Sequence, residues 1–219
     1  MTPVGAGQLA SVVADLALQA RGAAVPGRHA VRVGIDGPVA ADGEALADRV
    51  TAELERRAVP VARVRAVDFL RARSLRLEHG SDDPDAFLTG WYDLPALRRE
   101  VLDPLGPGGT GRWLPRLRDP GTDRPYRDPA RQAPPGTVAV LDGRFLGGAE
   151  LDRALDVRVH LDVTPAGRAR RVPEDEHARV LPAWQAYLER DDPTATAALV
   201  VRFDHPDRPA LLGPARSGR

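Results

Sequence analysis

The run Val31-Arg-Val-Gly-Ile-Asp36, continuing as Gly37-Pro-Val-Ala-Ala-Asp-Gly43 and Glu44-Ala-Leu-Ala-Asp48, decides the fold. Apolar residues at every second position over 31–36 read as a strand, the glycine-bounded turn ends it, and apolar spacing from Glu44 to about Arg57 reads as a helix. A second strand, Val61 to Val67, ends on Asp68. Strand, glycine turn, helix and strand within about forty residues make a βαβ unit, which requires parallel pairing through a right-handed crossover.

Upstream, Leu9, Val12, Val13, Leu16 and Leu18 repeat at helical spacing over 6–22, and Gly22 and Pro26-Gly27 close that segment. Downstream, strands are expected at 137–141, 157–163 and 198–203, and helices at 84–90, 94–103, 149–155, 165–171 and 175–190. Alternation of this kind predicts an α/β protein, a three-layer α/β/α sandwich on a mostly parallel sheet, with ligands at the carboxyl ends of the strands. Segment 104–136 is rich in Pro and Gly and carries Trp113 and Tyr126, so it reads as a loop or hairpin excursion over the site. The domain reading is an N-terminal helix over 1–28, one domain over 29–212 with a lid region at 165–190, and a disordered tail from 213 to 219.

All 31 cationic residues are Arg, balanced by 31 Asp and Glu. Lys, Asn and Cys are absent, and Ile35 is the sole isoleucine, a pattern expected of a GC-rich genome. Whatever its origin, it excludes lysine ammonium chemistry, thiolate catalysis, disulfides and Cys-based zinc sites. The five His are scattered without ligand spacing. Zero net charge argues against nucleic acid as a partner. No run approaches the ~20 apolar residues of a membrane helix, and residues 1–28 lack the pattern of a signal peptide, so a cytoplasmic protein is expected.

The glycine turn sits where a phosphate-binding loop belongs. Such a loop needs glycines, a helix N-terminus, a Lys for the β/γ-phosphates and a Ser or Thr for Mg²⁺. Glycines and helix are present here. The cation and the hydroxyl are not.

In this context the chain resembles the uridine kinase-like branch of the P-loop NTPases, which carry Gly-Ile-Asp-Gly, the loop, and then Leu-Ala-Asp. Leu46-Ala47-Asp48 sets the register: Asp42 falls at the second loop glycine, Gly43 at the lysine and Glu44 at the hydroxyl. The resemblance continues through Val67-Asp68-Phe69-Leu70-Arg71-Ala72-Arg73, Asp83-Pro84-Asp85-Ala86-Phe87, Trp91-Tyr92-Asp93 and Leu102-Asp103-Pro104. It extends to Arg118-Asp119 with Thr122-Asp123-Arg124-Pro125, then Leu141-Asp142-Gly143-Arg144-Phe145 and Asp156 to Asp162. Arg168, Arg170 and Arg171 match the start of the family's lid, and Arg179, Pro182 and Tyr187 its returning helix, with a shortened segment between.

The resemblance implies ATP and Mg²⁺ as cofactors and a nucleoside-like acceptor. It implies Asp68 as the base for the acceptor hydroxyl and Arg168 and Arg171 as lid cations. Gly37, Pro38, Ala40, Ala41, Asp42, Gly43, Glu44 and Ala45 would cradle phosphate. Asp142 would be a carboxylate near the metal, with Glu44 as a further Mg²⁺ ligand. Phe69, Arg73, Phe87, Trp91, Tyr92, Trp113 and Asp119 would wall the acceptor. Placing Glu44 near phosphate is unfavourable: at ~4 Å and an effective dielectric of ~20, one unit-charge contact is worth about 4 kcal/mol. The expectation is a kinase fold with phosphoryl transfer impaired or lost. Arg rescue of activity and a purely regulatory role are the alternatives.

Overall fold

The computed structural model describes residues 1–23, 29–151, 153–205 and 207–212. In chain order the elements are β1 (Thr2–Pro3), α1 (Ala6–Gly22), β2 (Ala30–Asp36), α2 (Gly43–Arg56), β3 (Val61–Arg65), α3 (Arg73–Arg76), α4 (Pro84–Gly90), α5 (Leu94–Leu97), α6 (Asp103–Leu105), β4 (Arg112–Trp113) and β5 (Arg131–Gln132). There follow β6 (Thr137–Gly143), β7 (Val157–Asp162), α7 (Pro165–Arg171), α8 (His177–Asp191), α9 (Pro193–Thr196), β8 (Leu199–Arg202) and β9 (Ala210–Leu211). The main sheet runs β1-β9-β8-β7-β2-β6-β3. From β8 to β3 every pairing is parallel, and β9 and β1 close one edge antiparallel. This is the three-layer α/β/α sandwich expected from the βαβ unit.

Period two in β2 sorts its side chains between two cores. Val31, Val33 and Ile35 face the layer of α1 and α2, packing with Leu9, Val13, Leu46, Val50 and Leu54. The opposite core holds Phe87, Leu97, Leu102, Phe145, Trp184 and Tyr187 from α4, α5, the segment after it, and α8. Arg32 lies buried within β2 because Asp156 grips its Nε at 3.0 Å and its Nη2 at 3.1 Å, a bidentate pair that satisfies the charge.

Helix starts follow local chemistry. Asp83, Asp93 and Thr164 each accept a backbone N–H from the first turn of α4, α5 and α7, and each of these turns contains a proline. The helix read over 94–103 is a composite: α5 passes into a π-type turn, Arg98–Leu102, and then α6. At 149–155 the helix expected is only a 3₁₀ turn, Ala149–Leu151. The excursion forms a hairpin of two residues a side, β4 with β5, plus a bridge between Arg118 and Pro125. β1 and β9 escape periodicity because two residues carry no period. The expected tail at 213–219 lies outside the described residues.

One buried network joins the carboxyl ends of the central strands. The Asp36 carboxyl at the end of β2 accepts the Tyr187 hydroxyl (2.8 Å) and the Leu146 N–H (3.0 Å), and meets His160 Nδ1 at 2.8 Å. Tyr187 in turn accepts the Gly147 N–H at 2.8 Å. Burial and the neighbouring Asp36 push the Tyr187 hydroxyl well above the ordinary tyrosine pKa, so it stays a donor. Tyr187→Phe strands the Gly147 N–H and removes a donor from Asp36. The expected loss is about 1–3 kcal/mol, read as a lower midpoint in thermal or urea unfolding.

Candidate functional site

β2 ends at Asp36, and its direction carries Gly37 to the carboxyl edge of the sheet, where the Gly37 N–H donates to the Gly143 carbonyl at 3.2 Å. A Cβ at Gly37 would lie 2.9 Å from Leu161 Cβ, so the close approach of turn and β7 requires glycine. Val39–Ala41 then form a 3₁₀ turn, and Asp42 takes a left-handed conformation (φ 47°) before α2 begins at Gly43. Aspartate tolerates that conformation better than most non-glycine residues. Gly43 has no such constraint: a Cβ there would meet only ordinary contacts with Leu161 and Ile35, at 3.7 and 3.9 Å. Packing therefore does not dictate the loss of a side chain at this position.

A cleft of about 210 Å³ opens here, lined by the glycine turn, Glu44, Arg65, Tyr92, Asp142 and Arg144 among others. Two arginines from β3 enter the region on the same side of the strand. Arg65 pairs with Glu44, Nε to Oε1 at 3.0 Å and Nη2 to Oε2 at 3.2 Å. Arg63 pairs with Asp142 and with Asp48. Sequence reading missed both, since an arginine in an edge strand looks like solvated surface. Their signal was the spacing of two, which sends both side chains to one face.

Asp68 reaches the same region because the chain leaves β3 at Arg65, earlier than Val67, and winds through a 3₁₀ turn, Ala66–Phe69. Its backbone carbonyl accepts the N–H groups of Leu117 and Arg118, which docks the hairpin excursion beside it. No hydrogen bond reaches its side chain among the described residues, and the residue is only 8% exposed. Burial raises its pKa, while Arg65 and Arg116 oppose that shift. Burial likewise raises Asp142, against the pull of Arg63. A carboxylate with raised proton affinity beside an open cleft is suited to accept a hydroxyl proton.

The corner after β6 aims Arg144 into the cleft. Phe145 holds φ at 63°, an uncommon value for a bulky residue, and Phe87, Tyr92, Trp184 and Tyr187 surround its ring at 5.3–6.4 Å. Arg144 rests over Phe87 at 5.8 Å and has no carboxylate partner among the described residues.

The other expected residues fall in three places. Pro38 and Asp42 line the cleft, Ala45 lies in the first turn of α2, and Ala40 and Ala41 are buried beneath the turn. Tyr92 lines the cleft, and Trp91 sits between Arg76 (5.2 Å) and Arg179 (4.5 Å). Phe69, Phe87 and Trp113 belong to the core, at 0%, 1% and 4% exposure. Asp119 organises the hairpin by accepting from Gly121, Thr122 and the Tyr126 hydroxyl. The Arg73 N–H donates to Asp123.

The lid arginines do not face the cleft. Arg168 is buried and donates to the Val163 carbonyl at 2.7 Å. Arg171 donates to the carbonyls of Ala40 (2.7 Å) and Phe203 (3.0 Å), bracing the turn from behind. Mg²⁺ is also poorly served. Both candidate carboxylates, Glu44 and Asp142, are engaged by arginines, and no group of three acidic or histidine side chains converges among the described residues. A divalent cation, which such a site holds through one or two carboxylates, waters and phosphate, would have to draw on the second oxygen of Asp142 or displace Arg65 from Glu44.

No protein-family model and no curated protein matches this chain. Solved structures do. A possible uridine kinase from Bacillus stearothermophilus is 19% identical at a TM-score of 0.71, over 88% of this chain and 97% of that one. D-glycerate 3-kinase from Cryptococcus neoformans is 15% identical at 0.62, over 95% and 97%. A proposed fructose transport system kinase from Silicibacter is 19% identical at 0.60, over 84% and 90%. At these identities the likeness is one of fold alone. No described helix is long and apolar enough to cross a membrane.

Because the folded Asp68 carboxyl holds its proton more tightly than in the unfolded chain, stability falls as pH rises through the folded pKa. Asp68→Asn removes this term. The variant is expected to melt above the parent at about pH 8 and to lose that advantage by about pH 3, where both states are protonated. Thermal melts across that range check the sign.

Proposed function

We propose that this chain is a P-loop kinase-fold protein that keeps a cleft for a nucleotide or nucleoside-like small molecule and has lost most of its capacity for phosphoryl transfer. One observation carries the reading. At the start of α2, where the chemistry of triphosphate transfer calls for a cation followed by a hydroxyl, Gly43 offers no side chain and the Glu44 carboxylate is paired with Arg65. Phosphoryl transfer depends almost wholly on positioning and charge neutralisation, so this exchange removes the main source of catalysis while leaving the cleft.

The acceptor side supports retained binding. Tyr92 and Asp142 line the opening, Asp68 lies within electrostatic reach of Asp142, Glu44 and Arg65 behind Val67, and burial keeps the proton affinity of both carboxylates high. A hydroxyl-bearing ligand finds acceptors there. Arg116, stacked on Tyr126 at 3.9 Å and paired with Asp128, opposes the rise of the Asp68 pKa from the excursion side. ATP is the nucleotide that the fold suggests, and magnesium is the component least supported by this donor set.

Two measurements test the reading. Calorimetry with ATP, ADP and uridine is expected to show binding of at least one of them, and silence with all three overturns it. Incubation with ATP and uridine is expected to yield no phosphorylated product above background; turnover at about 1 s⁻¹ or faster, ordinary for a kinase, removes the claim of impairment. The combined variant Asp42→Gly, Gly43→Lys, Glu44→Thr restores the loop chemistry at positions where packing leaves room, and ATP affinity is expected to rise by about a hundredfold or more.

A further inference from the structure

β3 places two guanidinium groups at the cleft, and they differ in how completely their partners use them. Arg63 is fully engaged, by Asp142, Asp48 and the Val64 carbonyl. Arg65 is not. Its Nη2 donates to Glu44 Oε2 at 3.2 Å, but its Nε, shielded from solvent, lies 3.0 Å from Oε1 without the alignment of a hydrogen bond. One edge of the guanidinium fork thus presents a buried N–H with no acceptor, beside a carboxylate that fits it imperfectly. Burying such a donor is unfavourable, and a better-shaped anion relieves it.

The Arg65–Glu44 pair is also easy to exchange. The two side chains are 40% and 48% exposed, and ion pairs so open to solvent contribute little. A phosphate group offers several oxygens to the same fork and takes bidentate geometry readily. Across the cleft, Arg144 supplies a second cation with no carboxylate of its own among the described residues. Asp142, the remaining carboxylate that a metal would use, is held through Oδ1 by Arg63.

We propose that Arg65 is the phosphate-binding cation of this cleft, that Glu44 occupies its fork and competes with the ligand, and that recognition of a phosphate-bearing small molecule proceeds there without a divalent metal. The proposal rests on the reading that the cleft admits a nucleotide. It differs from that reading in assigning the cation to β3 and in removing the metal. Arg65 here is a binding residue contributed from outside the glycine turn, and Glu44 is the group that sets affinity.

Titration calorimetry on the full chain with ADP and with inorganic pyrophosphate, in EDTA and in excess magnesium, tests it. Glu44→Gln is expected to tighten ADP by about tenfold or more, equally in both buffers, because it removes the competing charge and keeps the side-chain volume. Adding Arg65→Met to Glu44→Gln is expected to abolish the gain, and Arg65→Gln serves if the methionine variant does not fold. Parental ADP binding that ignores both substitutions overturns the proposal while leaving the nucleotide reading intact. Binding by Glu44→Gln alone, dependent on Arg65, supports the proposal and overturns nucleotide binding by the parent. Strict dependence on magnesium, or no heat with any variant, overturns the proposal.

Discussion

The buried carboxyl of Asp36 is the interaction on which the rest of the site depends. It sits at the end of β2, where the chain must leave the sheet, and gathers the corner after β6, the β7 histidine and the tyrosine of α8 around two oxygens. Hydrogen-bonding capacity buried to this degree is stable when partnered, and both Asp36 oxygens are, while the outer nitrogen of His160, Nε2, is buried without a partner. The cleft is the space beyond these strand ends. None of the groups in the network comes from the glycine turn itself, so the frame of the site holds whatever chemistry the turn carries.

This separation lets the residues of the turn vary inside an intact fold. Gly37 is needed for packing, since Leu161 leaves no room for a Cβ, and it is retained. Gly43 and Glu44 lie at the outer rim, where a change of side chain alters electrostatics and leaves the core untouched. The aromatic wall obeys the same division. Phe145 accepts a left-handed backbone because the rings around it repay the strain, and the result is a fixed direction for Arg144.

Much of the fold was legible because its signals are local and repeated. Val31, Val33 and Ile35 alternate, and Leu9 and Val13 share a helical face. What periodicity could not show were pieces too short to have a period, β1, β9 and the hairpin ladder, and the turn that replaced a helix after Ala149. The site divided in the same way. Asp68 and Asp142 were readable as strand-end carboxylates beside a glycine turn. Arg168 and Arg171 were expected in the cleft because cationic residues clustered in the lid pattern, but the backbone carbonyls of Val163, Ala40 and Phe203 hold them elsewhere. Phe69, Phe87 and Trp113 were expected to wall the acceptor, and all three lie in the core. Arg63 and Arg65 became visible only once β3 was seen to lie beside β6, which brings Asp142 within reach.

The uniform use of arginine also takes on a different meaning in three dimensions. On a surface, exchanging lysine for arginine preserves charge, and a mutational bias can make that exchange everywhere. A phosphate loop is not a surface. Lysine works there as a slender point charge on a flexible stem, whereas the guanidinium is a planar fork that needs room and a defined approach. Simple replacement at position 43 would put that fork at the mouth of α2, against the turn it must serve. A cation presented from β3 instead arrives from the side, with its stem supported by the sheet and its fork pointing at the start of the helix, where Glu44 now stands. On the proposal that Arg65 meets phosphate, the absence of lysine becomes a constraint on geometry: where every cation is an arginine, the fork approaches from a neighbouring strand.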